Sequence, residues 1–326
     1  MKNLRPHLEM ADNGINSLGF TVMRFLDVKT DFAFKKVFGS AASTGILIDF
    51  LNAVLEYPPE RAITDLSIVD PYQIPLLKGM KDTYVDVKAH LADGRQVIIE
   101  MQVLNVAGFE QRVLLNAAKS YSLQLQQGED YGLLNPVIAL TLTDFNLFDN
   151  DVLTHRFKLI DKAQLVEYSD DIELVFVELP KFTLAEDELQ SHKDRWLYFV
   201  KHAGDLRFIP ESLAQEPWIQ QAFNIANTAG MSAEDLETQF KRHDFILLQR
   251  GALKKAEQDG IERGLAEGIE KGIEKGRAEG RKEGLVEGRY DEKLAIAKNL
   301  LEVMDDAAIA KVTGLPESEI GKIRAG

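Results

Sequence analysis

The sequence predicts an α/β protein: a mixed sheet flanked by helices, followed by a helical C-terminal extension. Short runs rich in Val, Ile and Tyr near residues 63–69, 83–91, 95–104, 137–143 and 172–179 are interleaved with stretches of helical spacing, the pattern of layered α/β folds. Asp93-Gly94 between two of those runs is a strong short-range hairpin signal. From Glu186 onward the pattern turns helical, and between Gly260 and Gly288 a glycine recurs every four residues.

The first element is a helix beginning at Thr30 as N-cap, with Asp31 in its first turn, Phe34 and Phe38 one turn apart on a core face, and Gly39 as its stop. A second amphipathic helix covers 46–55 and ends before Pro58-Pro59. A short lead-in strand over 63–69 precedes a loop holding Pro71 and Pro75, and Lys78 and Lys81 bring charge next to the hairpin. After the hairpin, 108–127 reads as a helix burying Val113, Leu114, Ala117, Ala118, Tyr121 and Leu125, with Arg112 and Lys119 directed elsewhere. The runs 137–143 and 172–179 are apolar enough to be strands buried on both faces. Trp196 to Val200 and Phe245 to Leu248 are the apolar anchors of the helices that follow.

The hairpin holds acids where a strand should be dry. Thr83 to Leu91 and Arg95 to Leu104 alternate with period 2, which puts Tyr84, Asp86, Lys88 and His90 on one face and Val85, Val87, Ala89 and Leu91 on the other. A two-residue turn at Asp93-Gly94 would leave Asp86 and Glu100 on opposite faces. A three-residue loop over Ala92, Asp93 and a left-handed Gly94 pairs Leu91 with Arg95 and sets Asp86 opposite Glu100. Opposed carboxylates repel unless a proton or a cation joins them. A hard, oxygen-binding cation such as Mg2+ fits, since it is held by one or two carboxylates plus waters and phosphate oxygens. Glu100 also lies in Val97-Ile-Ile-Glu-Met-Gln-Val-Leu104, a run too apolar for a strand with a wet face.

Asp86, thirteen intervening residues, then Glu100-x-Gln102 resembles the core of PD-(D/E)XK nucleases. Together with Asp31-Phe-Ala-Phe-Lys-Lys-Val-Phe-Gly39, Ile48-Asp-Phe-Leu-Asn52, Asp86-Val-Lys88 and Val177-Glu-Leu-Pro-Lys-Phe182, the order of motifs resembles the recombination-promoting nuclease/transposase family. The resemblance covers roughly residues 27–200. It implies a restriction-endonuclease-like core and metal-dependent cleavage of DNA, with Asp86 and Glu100 holding Mg2+, Asp31 as a further acid at the metal and Arg112 near the cleft. Gln102 stands where the wider superfamily has Lys. It can orient a water by hydrogen bonding but supplies no positive charge, and Lys88, on the Asp86 face, is the expected source of the ammonium. Two readings compete: a transposase with a carboxylate triad on another fold, for which no late acid stands out, and an inactive DNA-associated or self-associating scaffold, favoured by Gln102 and by net acidity.

The chain has 326 residues and a formal net charge of -14, so any surface that binds DNA must be locally basic. Its divisions are a tail over 1–22, a nuclease-like core over 23–200, a helical extension over 201–250, a charged glycine-patterned segment over 251–290 and a small helical cap over 291–326. Glu9 and Asp12 interrupt the tail, which lacks the apolar core of a secretory signal, and no run reaches membrane-spanning length. A soluble, cytoplasmic protein without a membrane partner is expected. Cysteine is absent, which excludes disulfides and thiolate metal sites, and the six histidines form no ligand-like pair.

Within 251–290, nine basic and nine acidic residues cancel. The eight glycines from Gly260 to Gly288 cost a helix about 6–8 kcal/mol relative to alanine, more than its charge pairs return. The segment is either a flexible charged linker or a helix that self-associates through close backbone contact along the glycine stripe, making a homo-oligomer. Beyond it, Asp306 to Ile320 has a helix, glycine turn, helix rhythm, but Glu317 and Glu319 open the second helix where a base-reading helix needs Arg, Asn or Gln.

Overall fold

The computed structural model describes residues 25–73 and 83–325. The expected tail and the lysines of the loop before the hairpin lie outside those residues. The chain divides into two compact units, Met1–Arg250 and Gly251–Gly326, so the core and the helical extension form one body.

The first unit is built on a six-stranded mixed sheet of β1 (Leu66–Val69), β4 (Val87–Leu91), β5 (Gln96–Gln102), β6 (Val137–Thr143), β8 (Val166–Glu178) and β7 (Thr154–Asp161), in that spatial order. A separate ribbon pairs β2 (Tyr72–Gln73) with β3 (Thr83–Tyr84). β5, β6 and β8 run parallel, while β1, β4 and β7 are antiparallel to their neighbours. Every residue of β6 is buried, as a central strand covered on both faces must be.

One face packs under α1 (Asp31–Phe38), α2 (Thr44–Leu55), α4 (His192–His202) and α6 (Pro217–Ala226), with Phe34, Phe38, Phe50 and Trp196 joining Ile99, Leu140 and Val177 in one core. The other face packs under α3 (Phe109–Ser122), where Phe109, Val113 and Ala117 meet Ile98, Ala139 and Phe176. The result is the expected α/β sandwich. Thr30 caps α1, its Oγ1 accepting from Ala33 N, and Asp31 sits in the first turn.

The α3 stripe differs from the expected one. Leu114 is 53% exposed, whereas Lys119, expected to point away, is 7% exposed and lies on the buried side with Val113, Asn116, Ala117 and Ser120. The helix begins at Phe109 and ends at Ser122, several residues short of the expected end. The antiparallel edge strand β7 was not expected either: no residue of it is buried, and polar residues interrupt Phe157, Leu159 and Ile160, so it lacks an apolar run. Phe245, Leu247 and Leu248 are all more than half exposed and join no hydrophobic core among the described residues.

They lie on α7 (Ala233–Leu300), a helix of 68 residues that includes the whole glycine-patterned segment. In the second unit, the end of α7 packs with α8 (Asp306–Thr313) and α9 (Glu317–Ala325) around Ala297, Ile309, Leu315 and Ile320, and Gly314 makes the left-handed turn between them.

Candidate active site

The β4–β5 hairpin has the three-residue loop. Val87 pairs with Ile99 and His90 with Gln96, Leu91 N donates to Arg95 O at 2.8 Å, and Gly94 has φ +93°. Continued one step, this register sets Asp86 across from Glu100. The strand does not continue regularly, however. Val85 packs beside Ile98 on the α3 side, while Val87 packs beside Ile99 on the opposite side, so the expected alternation through residues 85 and 87 is broken at Asp86. Asp86 N donates to Ile99 O at 3.0 Å although Val87 is the partner of Ile99. That is the bonding of a β-bulge, a feature frequent beside active sites.

The bulge also explains where the Asp86 carboxylate goes. Since Leu91 N bonds Arg95 O, every second residue of β5 from Arg95, up to Met101, turns its N–H toward β4. With Val85 diverted, Met101 N has no ladder partner, and Asp86 Oδ2 accepts its hydrogen at 2.8 Å. The other oxygen, Oδ1, lies 3.2 Å from Lys35 Nζ on α1. Burial raises the Asp86 pKa above the usual carboxylate range against the opposing effects of Met101 N–H and Lys35, and the negative charge of Asp31 adds to the rise.

Glu100 faces α3. Its Oε1 accepts from Arg112 Nη2 at 2.6 Å, and Asn116 Nδ2 lies 3.4 Å from Oε2. Burial is again the main cause of a raised pKa, with Asp86 adding to it and Arg112 opposing it. Gln102 Oε1 accepts from the same Arg112 Nη2 at 2.6 Å, and its Nε2 donates to Leu104 O at 2.6 Å. The cluster sits at the C-terminal end of parallel strands β5 and β6, where open α/β sheets place their ligands.

Of the residues singled out in the sequence, Asp86, Glu100, Gln102 and Arg112 come together. Asp31 stays at the margin, close enough to influence Asp86 but 3.5 Å from Arg242 Nε on α7. Lys88 does not join: it lines a cavity with His90, Gln96, Ser120 and Gln124 at the hairpin end of α3. The cations that lie beside Asp86 and Glu100 are Lys35 and Arg112. Lys35 carried a readable signal, standing one helical turn after Asp31, whereas Asn116 gave none in an apolar stripe.

The Val177-Glu-Leu-Pro-Lys-Phe182 motif has a supporting role. Glu178 is fully buried and accepts from Leu147 N at 2.5 Å, Phe148 N at 3.1 Å and Lys181 Nζ at 2.6 Å. Burial pushes its pKa up, but Lys181 and the two N–H groups outweigh that and hold it below the usual value. This fixes the loop after β6, whose Asp144 N donates to Gln102 O at 2.9 Å. Arg250 on α7 pairs with Asp144 at 2.5 Å.

Among the described residues no group of three His, Cys, Asp or Glu is placed to hold a metal. Two carboxylates with raised pKa values fit a cation that keeps most of its waters and takes phosphate oxygens as further ligands. Asn116 Oδ1 and Arg112 Nε, buried and without hydrogen-bond partners among the described residues, leave one further acceptor and one donor beside that pair.

No curated protein and no solved structure matches the chain. A family model for the PD-(D/E)XK nuclease family transposases matches residues 28–256, which take in both helical layers, the described sheet and the start of α7. The chain belongs to that family.

Proposed function

We propose that the protein is a Mg2+-dependent DNA endonuclease acting in recombination or mobile-element activity, with Asp86 and Glu100 as metal ligands. The observation that carries this reading is the pair of carboxylates brought together by the bulged hairpin, with side chains only 12% and 14% exposed and pKa values raised by burial, further by Asp31 at Asp86 and by Asp86 at Glu100. A divalent cation bound there would neutralise charge on the phosphate and lower the pKa of its bound water.

The protein's own residues position and balance charge. Arg112 is 39% exposed on its side chain while its Nη2 reaches Glu100 and Gln102, so the guanidinium can turn from Glu100 to a phosphate without leaving the cleft. Lys35 is 43% exposed and has the same option at Asp86. Gln102 accepts from Arg112 in this arrangement. Once the arginine turns to phosphate, Gln102 Oε1 is released to accept from the attacking water. The local cations Lys35 and Arg112 meet the need for a basic cleft in an acidic chain.

The active form is a homo-oligomer joined through residues 260–288. No heavy atom lies within 4 Å of a Cβ built on any of the glycines from Gly260 to Gly288, apart from their own helix. Ile261, Leu265, Ile269 and Ile273 follow four of these glycines and are each more than half exposed. A second helix packed along this stripe would cover the apolar side chains and offset the glycine cost. Two cores joined this way can cut both strands of one duplex.

The test is whether purified protein relaxes or linearises supercoiled plasmid with Mg2+ but not with EDTA. Equal cleavage in EDTA, or none under either condition, sinks the assignment.

A further inference from the structure

The Lys88 cavity lies outside the carboxylate cluster and has a composition of its own. Arg112, Asn116 and Ser120 recur every four residues on α3, with Gln124 just past the helix end, while Gln102, Glu100, Ile98 and Gln96 alternate toward the same side on β5. Four helical residues and two strand residues advance by nearly the same length, about 6 Å, so the rows stay in step. Arg112 meets Glu100 and Gln102 at one end. At the other, about 12 Å along the helix, Ser120 and Gln124 line a cavity of about 450 Å3 together with Lys88, His90, Gln96 and Asn135. That volume is in the range of small-molecule sites.

Two of its polar groups have nothing to bind. The Lys88 side chain has no ion pair or hydrogen bond with another described residue. Gln96 is 8% exposed and its Oε1 has no hydrogen-bond partner among the described residues, at a cost of about 1–3 kcal/mol for such an atom. His90 stands close enough to Lys88 for that ammonium to lower the His90 pKa further. The walls are firm: Gln124 is tied to Asn135 by Nε2 to Asn135 O and Asn135 N to Oε1, both at 2.8 Å.

We propose that this cavity binds the phosphate group of a nucleotide, with Lys88 and His90 on the anion and Gln96 Oε1 accepting from a donor on the ligand. The phosphate can come from a free nucleotide or from a DNA strand that also enters the carboxylate cluster. Only the second source rests on the nuclease reading.

Calorimetry on the full chain in EDTA separates these, because no turnover is needed. The probes are inorganic phosphate, deoxyadenosine monophosphate and a short single-stranded oligodeoxynucleotide. Loss of a charge-assisted contact in Lys88→Gln should weaken binding about 10- to 100-fold. His90→Glu, at an exposed position, should do the same by placing a carboxylate beside Lys88, and serves if Lys88→Gln folds poorly. Lys88-dependent binding of phosphate or the mononucleotide assigns a free ligand, and Lys88-dependent binding of the oligonucleotide alone assigns the strand. Absence of binding, or binding unchanged in both variants, overturns the proposal. Failure of plasmid cleavage leaves it standing.

Discussion

The carboxylate cluster and the glycine helix break opposite rules of folding. In the first, charged groups are taken out of water, so that Asp86 and Glu100 have raised pKa values despite Lys35 and Arg112 beside them. In the second, apolar groups are left in water, with Ile261, Leu265, Ile269 and Ile273 exposed on a helix that its glycines weaken. Local violations of this kind concentrate where a protein does its work. On the proposed function, the first region takes a cation from solution and the second takes another copy of the helix.

The largest effect separating the two regions should come from removing charge at the first. Asp86→Asn and Glu100→Gln should each abolish plasmid cleavage while leaving oligomeric state by sedimentation unchanged. Full turnover by either variant excludes that acid from the site. Arg112→Ala comes next: losing a preorganised charge at the phosphate should lower the cleavage rate about 10²- to 10³-fold, and a rate within twofold of the parent would leave Arg112 a structural partner of Glu100 only.

At the second region, replacing Gly264, Gly268, Gly272 and Gly276 with Leu should raise intrinsic helicity by circular dichroism yet weaken the oligomer, because the backbones can no longer approach. A monomer for the unaltered chain, or the same oligomer after deletion of residues 260–288, contradicts the interface. Single-strand nicking should survive these substitutions better than linearisation.

The smallest effect concerns neither region and acts as a control on the fold that carries them. His192 Nε2 lies 2.7 Å from Asp49 Oδ2, which also accepts from Trp196 Nε1 at 2.8 Å, joining α2 to α4. The hydrogen bond to Asp49 raises the His192 pKa. Its stabilisation is therefore complete below the unfolded value, about 6.5, and is lost as pH rises through the folded pKa. The melting temperature of His192→Gln should fall short of the parent by more at pH 6 than at pH 9; equal deficits remove the ion pair from the account.

How much of this was legible depends on what each residue type can signal. The three-residue loop was readable because only one parity brings Asp86 and Glu100 together and Gly94 suits the left-handed position it occupies. The bulge was not, because Val85 and Val87 are both apolar and the sequence does not say that they enter different cores. Arg112 was identified through resemblance, since a charged residue on an amphipathic helix reads equally well as solvated. Lys88 was set on the Asp86 face by the alternation that the bulge interrupts, whereas Lys35 was signalled by its place one helical turn after Asp31. The exposed leucines of α3 and the wet strand β7 show the same limit: hydropathy gives the period of an element, but its rotation and its neighbours come from tertiary packing.

The central claim is that the two acids are held close for a divalent cation, and thermal denaturation with and without Mg2+ tests it most directly. A cation that binds only the folded state must raise its melting temperature. The account predicts that Mg2+ raises the midpoint of the parent protein and not that of Asp86→Asn or Glu100→Gln, with both variants melting at or above the parent in EDTA because repulsion has been relieved. An equal Mg2+ shift in parent and variants, or none in the parent, would contradict it.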